Sequence, residues 1–396
     1  MSEKKSDADA EQYEDIKRAL VAGEIRALSL DTCIFTYAGY QLEAGNLKRL
    51  NQFKNNELKL VFSEVILGEV LNHLVVHADE AKTKTITALR NCGKFWGVSK
   101  EVQDRATTDL VGTGDSVGHA KERLNVFLED SGAYRLDTGK LMDMERLLSM
   151  YFDSVAPFEN TKEKKSEFPD AIALITLEAW AKKSGTALLF VTNDKGCQRF
   201  CSKSDFLYSI SDLGKALTLV QERNVHVANL CEMLDEKIAA GKVPDFIGYI
   251  RAAVENNIWK VDWIVEADSV FYFESDLNDV GLVDLMLTGA NGDAELSPVD
   301  FGGGVLVARA TVIATIEATC DFSFSVHDSI DHEMVTVGST EARVKEDIEI
   351  DLLLTFAVAD GAEPTLNEVE LVPGRRRVQF GSVEPDYDAE HYDEDY

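Results

Sequence analysis

The sequence is poor in cysteine and has no long apolar run, and each shortage excludes a class of protein. Its six cysteines form no CxxC pair, and no histidine or cysteine beside Cys197 and Cys201 completes a zinc set. We expect reduced thiols that pack inside a cytoplasmic protein. No stretch approaches the roughly 18 apolar residues of a membrane span. The opening segment MSEKKSDADAEQYEDIKRAL is too charged for a secretory signal.

Positive charge is also scarce. The chain has 40 Lys and Arg against 70 Asp and Glu, and its formal net charge is −30. This balance argues against non-specific binding of nucleic acid over the whole surface, but it allows a local basic groove or a metal site. The segment EPDYDAEHYDEDY, residues 384–396, has no Lys or Arg and is expected to be a disordered interaction tail.

Several motifs that would define an enzyme class are missing. The segment VGTGDS lacks the GxxxxGK[ST] pattern of a P-loop, and FGGGVL is not followed by the helix that a dinucleotide site requires. The segment DTC is not the DxD of an aspartyl-phosphate phosphatase. No Ser-His-Asp or Cys-His set stands out, so nucleophilic hydrolysis by a side chain is not indicated.

The first part of the chain alternates apolar strands with amphipathic helices. This alternation predicts an α/β fold with a parallel sheet flanked by helices. The near-continuous apolar strands indicate burial on both faces. Between about residues 82 and 148 the pattern is mostly helical, which predicts a helical insertion. The predicted strands are Glu24–Asp31, Leu58–Ser63, Gly185–Asp194 and Asp205–Ser211.

The last part of the chain has a period of two instead. In ARATVIATIEATCDFSFSV and DIEIDLLLTFAV every second residue is apolar, which predicts an antiparallel β-rich domain with one wet face. Two helices are expected before it. We therefore predict an N-terminal helical extension (1–24), an α/β domain (25–222), a helical connector (223–258), a β-rich C-terminal domain (259–383) and the acidic tail (384–396).

Four acids from separate parts of the α/β domain are predicted to meet at one rim of its sheet. Asp31 closes the first strand, Asp194 closes the third, Asp170 opens the helix before that strand, and Glu69 lies two turns into the helix after the second. Ligands gather at the carboxyl ends of parallel strands. Four carboxylates held together repel one another unless a cation lies between them. Mg²⁺ or Mn²⁺ suits such oxygen ligands, and can generate a hydroxide nucleophile and neutralise charge on a phosphodiester.

Each acid also has a plainer interpretation. An Asp at a helix start often only caps the helix, and an Asp after a strand often only begins a turn. Glu64 is an alternative to Glu69 as the ligand. His73 and His77 follow Glu69 at spacings of four, so all three share a helix face. The order is not HExxH and no distant third ligand is apparent, so His73 is expected to support the site or to contact the substrate rather than to bind zinc, and His77 is expected to be a plain surface histidine.

Other polar residues near the predicted rim have candidate supporting roles. Thr192 and Asn193 either orient a ligand carboxylate or simply form the turn before Asp194. In TKEKKSE, just before Asp170, lysines abut the site, and Lys165 is the preferred contact for a phosphate. The run RRR at residues 375–377 either contacts nucleic acid or an acidic partner, or protects a hairpin edge.

The four segments LSLDTCIF, VFSEVILGEV, FPDAIALITLEAW and LLFVTNDKG resemble the signature segments of PIN-domain nucleases. The family order is a strand-end Asp in an LDT context, a Glu six residues after a Ser, a D-A helix start and a strand ending in [ST]-N-D. The lead-in KKSEFPDA resembles the larger PIN-like proteins. The resemblance covers roughly residues 25–215 and falls on Asp31, Glu69, Asp170 and Thr192-Asn193-Asp194.

This resemblance implies a metal-dependent endoribonuclease that uses Mg²⁺ or Mn²⁺ and cleaves RNA. Two departures are Cys33, where the family usually has Asn or Ser, and the segment of about 100 residues between Glu69 and Asp170. One alternative is a catalytically weak PIN-like scaffold with a protein partner. Another is a nuclease acting on single-stranded DNA, or a phosphatase, with the same site. The β-rich domain is expected to hold a partner or to self-associate.

Overall fold

A computed structural model describes residues 2–158, 164–243, 245–289, 294–327, 333–358 and 364–386. The chain divides into two compact units, Met1–Arg223 and Asn224–Tyr396. None of the helices in the described ranges is both long and apolar enough to cross a membrane. Most of the predicted acidic tail lies outside the described residues. Its beginning is described, and the backbone N–H of Asp386 donates to the carbonyl of Ser339 at 3.1 Å.

The first unit is built on a five-stranded parallel sheet in the order β3-β2-β1-β4-β5. The strands are continuous apolar runs, and the residues of β1, β2 and β4 are almost all buried. The predicted parallel sheet flanked by helices is confirmed. The strands are β1 (Ile25–Leu30), β2 (Lys59–Ser63), β3 (Tyr134–Leu136), β4 (Ala187–Val191) and β5 (Leu207–Ile210).

Helices surround this sheet and also form the segment between β2 and β3. Short 3-10 helices cover Arg49–Asn55 and Lys164–Glu167. The α-helices are α1 (Ser2–Val21), α2 (Thr32–Tyr37), α3 (Gly45–Lys48), α4 (Glu64–Trp96), α5 (Lys100–Val111), α6 (Ser116–Ser131), α7 (Thr138–Leu141), α8 (Met144–Asp153), α9 (Phe168–Ser184), α10 (Lys195–Cys201) and α11 (Leu213–Gln221).

One strand was missed by the sequence pattern. β3 lies inside the stretch that was expected to be mostly helical, and it pairs with β2 in parallel. It has three residues, of which only Leu136 is buried. A strand this short cannot display a period of two, so its pairing is decided by the sheet beside it rather than by its own sequence.

The strand order places a topological switch point between β1 and β4. From β1 the chain continues outward through β2 and β3, and it then returns to the other side of β1 for β4 and β5. The backbone N–H of Asp31 donates to the carbonyl of Val191 at 2.9 Å, and this hydrogen bond joins the ends of β1 and β4 at the base of the crevice. In open α/β sheets, ligands bind in such crevices at the carboxyl ends of the strands.

The second unit is an antiparallel sheet with two helices on one face. Its strands follow the order β11-β10-β9-β7, with β8 also paired to β9, and β6 pairs with β12 in a separate two-stranded parallel ribbon. The elements are α12 (Val225–Ala239), α13 (Phe246–Asn257), a 3-10 helix (Ile258–Lys260), β6 (Asp262–Asp268), β7 (Tyr272–Leu287), β8 (Ser297–Gly302), β9 (Val305–His327), β10 (Met334–Ala357), β11 (Thr365–Leu371) and β12 (Arg375–Ser382).

The two-residue period of β9 and β10 defines the core of this unit. Alternate residues from Ala310 to Phe324 are essentially fully buried, and the residues between them form the wetter face. The buried face packs against Val227 and Leu234 of α12 and Ile250 of α13. The antiparallel β-rich C-terminal region is thus confirmed, and the two helices expected to connect the domains contribute to its core.

Two glycines that end helices offer a matched test of packing. Gly132 after α6 and Gly185 after α9 both have left-handed backbones, with φ of 63° and 64°. A Cβ at Gly132 would lie 2.7 Å from the Cα of Lys54, whereas nothing lies within 4 Å of one at Gly185. Left-handed backbone costs a non-glycine residue about 1–2 kcal/mol.

We expect Gly185→Ala to lower the free energy of unfolding by about 1–2 kcal/mol, the cost of a left-handed backbone for a non-glycine residue. Gly132→Ala should cost clearly more, because the backbone at Lys54 must also move. Urea denaturation of the two full-length variants measures the difference. Equal midpoints would contradict the close packing at Gly132.

Candidate functional site

Asp31 lies buried at the end of β1, in the crevice beside β4. Its side chain is 7% exposed and does not cap α2, although Asp31 occupies the N-cap position of that helix. Its Oδ2 accepts hydrogen bonds from the hydroxyl of Thr192 and, at 3.2 Å, from the thiol of Cys33. Burial raises the pKa of Asp31, and these two hydrogen bonds oppose that effect.

Asp170 lies in the first turn of α9, with Pro169 before it. Because α9 precedes β4, its N-terminus faces the carboxyl end of the sheet. Burial first, and then the charges of Asp31, Glu69, Asp194 and Glu167 in that order, raise the pKa of Asp170 from 3.8 to about 7. The structure thus brings the four predicted acids within electrostatic range of one another.

Asp194 combines the structural and the predicted role. It is the N-cap of α10, and its Oδ1 accepts from the backbone N–H of Cys197 at 2.7 Å. Its own N–H donates at 3.0 Å to the hydroxyl of Thr192, which in turn donates to Asp31. Thr192 is fully buried and connects the acids at the ends of β1 and β4. The side chain of Asn193 is exposed, and its N–H donates to the Cys33 sulfur at 3.4 Å.

Glu69, rather than Glu64, faces Asp170. The Oε2 of Glu69 accepts from the hydroxyl of Thr32 at 2.8 Å, which places it beside the start of α2. Glu64 instead accepts from the backbone N–H of Thr138 at 3.2 Å and pairs with Arg135 at 3.3 Å. Glu64 therefore supports the end of β3, whereas the charge of Glu69 is among the main causes of the raised pKa of Asp170.

The two histidines of α4 pack on a tyrosine. The ring of His73 stacks on that of Tyr40 with centroids 5.2 Å apart and an interplanar angle of 23°, and His77 lies at the same distance on a more tilted ring. His77 also lies 3.8 Å from Glu80. Both histidines are exposed. They follow Glu69 along the same helix face, as predicted, and their partner is aromatic.

Some candidate residues are not brought to the site. Lys162 and the side chain of Lys165 lie outside the described residues, so the role of Lys165 stays a prediction. The arginines of β12 have partners within the second unit. Arg375 pairs with Asp262 at 2.8 Å and Arg377 pairs with Glu266 at 3.1 Å, which favours a structural role for the run.

Sequence reasoning missed three contributors to the site. Thr32 positions Glu69, and the LDT context of Asp31 already contained it as a signal. Glu167 adds negative charge beside Asp170. Cys33, noted only as a departure, bonds to both strand ends, and burial followed by the charge of Asp31 raises the pKa of its thiol to about 12.

The oxygen atoms of the four acids suit a hard divalent cation, although their side chains are not arranged as a complete metal-binding site. The four acids offer only oxygen ligands, which Mg²⁺ and Mn²⁺ prefer. In the described parts of the chain, no three His, Cys, Asp or Glu side chains are arranged to hold an ion as they stand. Three of the acids are instead bonded to protein donors, at Thr192, Thr32 and Cys197.

Residues 28–196 match the model of the family described as PIN domain. All four acids, the second half of β1, the strands β2 to β4 and the helical segment between β2 and β3 fall in this range. The match confirms the resemblance to PIN domains that the motifs predicted, and PIN domains are in general nucleases. No curated protein and no solved structure matches the chain.

The raised pKa of Asp170 predicts a dependence of stability on pH. A folded-state pKa near 7 means that the protonated form is favoured. The stability that the protonated Asp170 side chain contributes to the folded state is fully present below the unfolded pKa of about 4, and it is lost as pH rises through 7. We expect Asp170→Asn to melt at a higher temperature than wild type at pH 8 in EDTA, and this gain should shrink steadily toward pH 4. Calorimetry across this range measures it, and a gain independent of pH would contradict the crowding of charges.

Proposed function

We propose that the PIN domain is a metal-dependent endoribonuclease that hydrolyses phosphodiester bonds in RNA. The observation that carries the proposal is the convergence of Asp31, Glu69 and Asp194 on Asp170, where burial and then these charges raise the pKa of Asp170 to about 7. The four carboxylates come from four separate elements and lie at the switch point of a parallel sheet. Bringing them together does not itself stabilise the fold, because like charges repel. Their repulsion is offset when a cation binds among them.

The four acids would hold one or two Mg²⁺ or Mn²⁺ ions. Such ions would supply positive charge opposite the phosphate and would make water a stronger nucleophile at neutral pH. Supporting groups keep the acids in place. Thr192 orients Asp31 through its hydroxyl, and Thr32 does the same for Glu69. Residues that fix the orientation of ligands are expected to affect metal affinity as well as activity.

A second candidate is a PIN-like scaffold that has little catalytic activity and holds a protein partner, or self-associates, through the β-rich unit. The net charge of −30 favours protein partners over free RNA. The carboxylates bonded to protein donors are also compatible with an inactive site. A nuclease of single-stranded DNA would use the same acids, so the choice of polymer is part of the test.

Cleavage provides the first prediction, with a matched pair of variants. Asp194 and Asp212 each cap a helix after a strand, and each accepts from a backbone N–H at 2.7 Å. Asparagine is an equally good N-cap, so both variants to Asn should keep their helices. We expect Asp194→Asn to lose RNA cleavage by at least about 100-fold, which corresponds to about 2.7 kcal/mol of transition-state stabilisation. Asp212→Asn should remain active.

The assay uses labelled RNA and single-stranded DNA with Mg²⁺, Mn²⁺ or EDTA. Cleavage that is absent in EDTA and in Asp194→Asn supports the nuclease. Faster cleavage of DNA than of RNA would change the substrate to DNA. A wild type that is inert on both polymers with both metals would reject the nuclease in favour of the scaffold.

Metal binding is the second prediction and does not depend on turnover. At pH 8 we expect millimolar Mn²⁺ or Mg²⁺ to raise the melting temperature of wild type, because a cation offsets the repulsion on Asp170 and binds only the folded state. Asp170→Asn should gain much less. Equal gains for the two proteins would mean that the ion binds elsewhere.

A further inference from the structure

The exposed face of α4 carries two imidazole rings in line with the Glu69 carboxylate. Glu69, His73 and His77 are spaced by four residues, so they lie on one strip of the helix with about 5.4 Å of axial rise per turn. Glu69 is the first residue of this strip, and its carboxylate accepts a hydrogen bond from the hydroxyl of Thr32. The strip therefore begins at the acidic site and leads away from it along the surface.

A buried tyrosine holds both rings in place. The Tyr40 side chain is 3% exposed, and its ring centroid lies 5.2 Å from those of His73 and His77. Its hydroxyl shares a 2.8 Å hydrogen bond with Thr36 of α2. Its backbone carbonyl accepts from Arg123, which also forms two hydrogen bonds to Glu43. The tyrosine is thus fixed by contacts from α2 and α6.

The backbone of Tyr40 is itself unusual. Its φ is 56°, in the left-handed region that few residues with a bulky side chain adopt. Backbone strain of this kind costs of the order of 1–3 kcal/mol and persists where the surroundings enforce it, often at functional sites. Here it turns the ring toward α4, and the two imidazoles remain largely exposed to solvent while their inner sides rest on the tyrosine.

We infer that His73 and His77, held from beneath by Tyr40, form a stacking platform for the bases of a single-stranded nucleic acid whose backbone enters the acidic site. The inference deepens the proposed function and rests on it for the position of the cleaved bond. Bases stack on aromatic side chains irrespective of their sequence. Such contacts do not require positive charge, which this protein has in short supply at a net charge of −30.

The platform predicts a preference for single-stranded over double-stranded nucleic acid. A stacked base must be exposed, and the bases of a duplex are already stacked and paired. Since the affinity comes from stacking rather than from phosphate contacts, it should depend only weakly on salt. Binding through lysines and arginines would instead fall steeply as salt rises.

The experiment measures binding of a fluorescent single-stranded 12-nucleotide RNA to the full chain by anisotropy, in EDTA so that cleavage does not interfere. We expect His73→Ala and His77→Ala each to weaken binding about 5- to 100-fold, the usual range for one stacked base. His73→Phe should retain most of the affinity, because it keeps an aromatic ring. His226→Ala is the matched control, since His226 is also exposed beside an aromatic ring, Phe301, at 6.0 Å.

A second strand, with abasic sites throughout, separates stacking from a structural effect. If the histidines only maintain the fold, His73→Ala should weaken binding of both strands equally. If they stack, wild type should already bind the abasic strand weakly and the substitution should change nothing further. Unchanged binding in the double variant His73→Ala, His77→Ala, or no binding of the intact strand by wild type, would overturn the platform.

Failure of the platform and failure of the nuclease give different results. Metal-dependent cleavage with an unchanged KM in the double variant would leave the nuclease standing and remove the platform. Binding that depends on both histidines, with no cleavage in Mg²⁺ or Mn²⁺, would leave the platform and remove the nuclease.

Discussion

Mutual repulsion among carboxylates is the constraint on which the arrangement of the first unit depends. Asp170 is partly buried beside Asp31, Glu69 and Asp194, and burial together with these charges raises the pKa of its carboxyl to about 7. A fold keeps such a group only if other interactions enforce its geometry. Here the sheet supplies that enforcement, since β1 and β4 are adjacent parallel strands and their ends hold two of the acids.

A small network of hydroxyl and thiol groups keeps the acids apart and oriented. Thr192 joins Asp31 to the backbone of Asp194, and Cys33 bonds to Asp31 and to the N–H of Asn193. Two of these four contacts cross from the end of β1 to the end of β4, so the network depends on the pairing of strands that are far apart in the sequence. The acids and their supports form one cooperative unit, in which loss of one member exposes or unbalances the others.

The same helix, α2, positions both the acidic site and the strip of residues on α4. Thr32 and Thr36 of α2 contact Glu69 and Tyr40 one turn apart, so the helix that begins at Asp31 fixes both the carboxylate and the tyrosine beneath the histidines. A protein with a net charge of −30 attracts nucleic acid weakly at long range. In the proposed function, a cation and stacked bases would therefore supply the affinity for nucleic acid through local contacts.

The sequence by itself determined the alternation of strands and helices, the two-residue period of β9 and β10, and the identity of the four acids. These features are local, because burial imposes a period on each element and a strand end fixes where its next residue lies. Tertiary structure alone decided that β3 joins the sheet, that Glu69 rather than Glu64 faces Asp170, and that Tyr40 lies under two histidines. Each of these features depends on contacts between residues that are distant in the sequence, and a local sequence pattern does not specify such contacts.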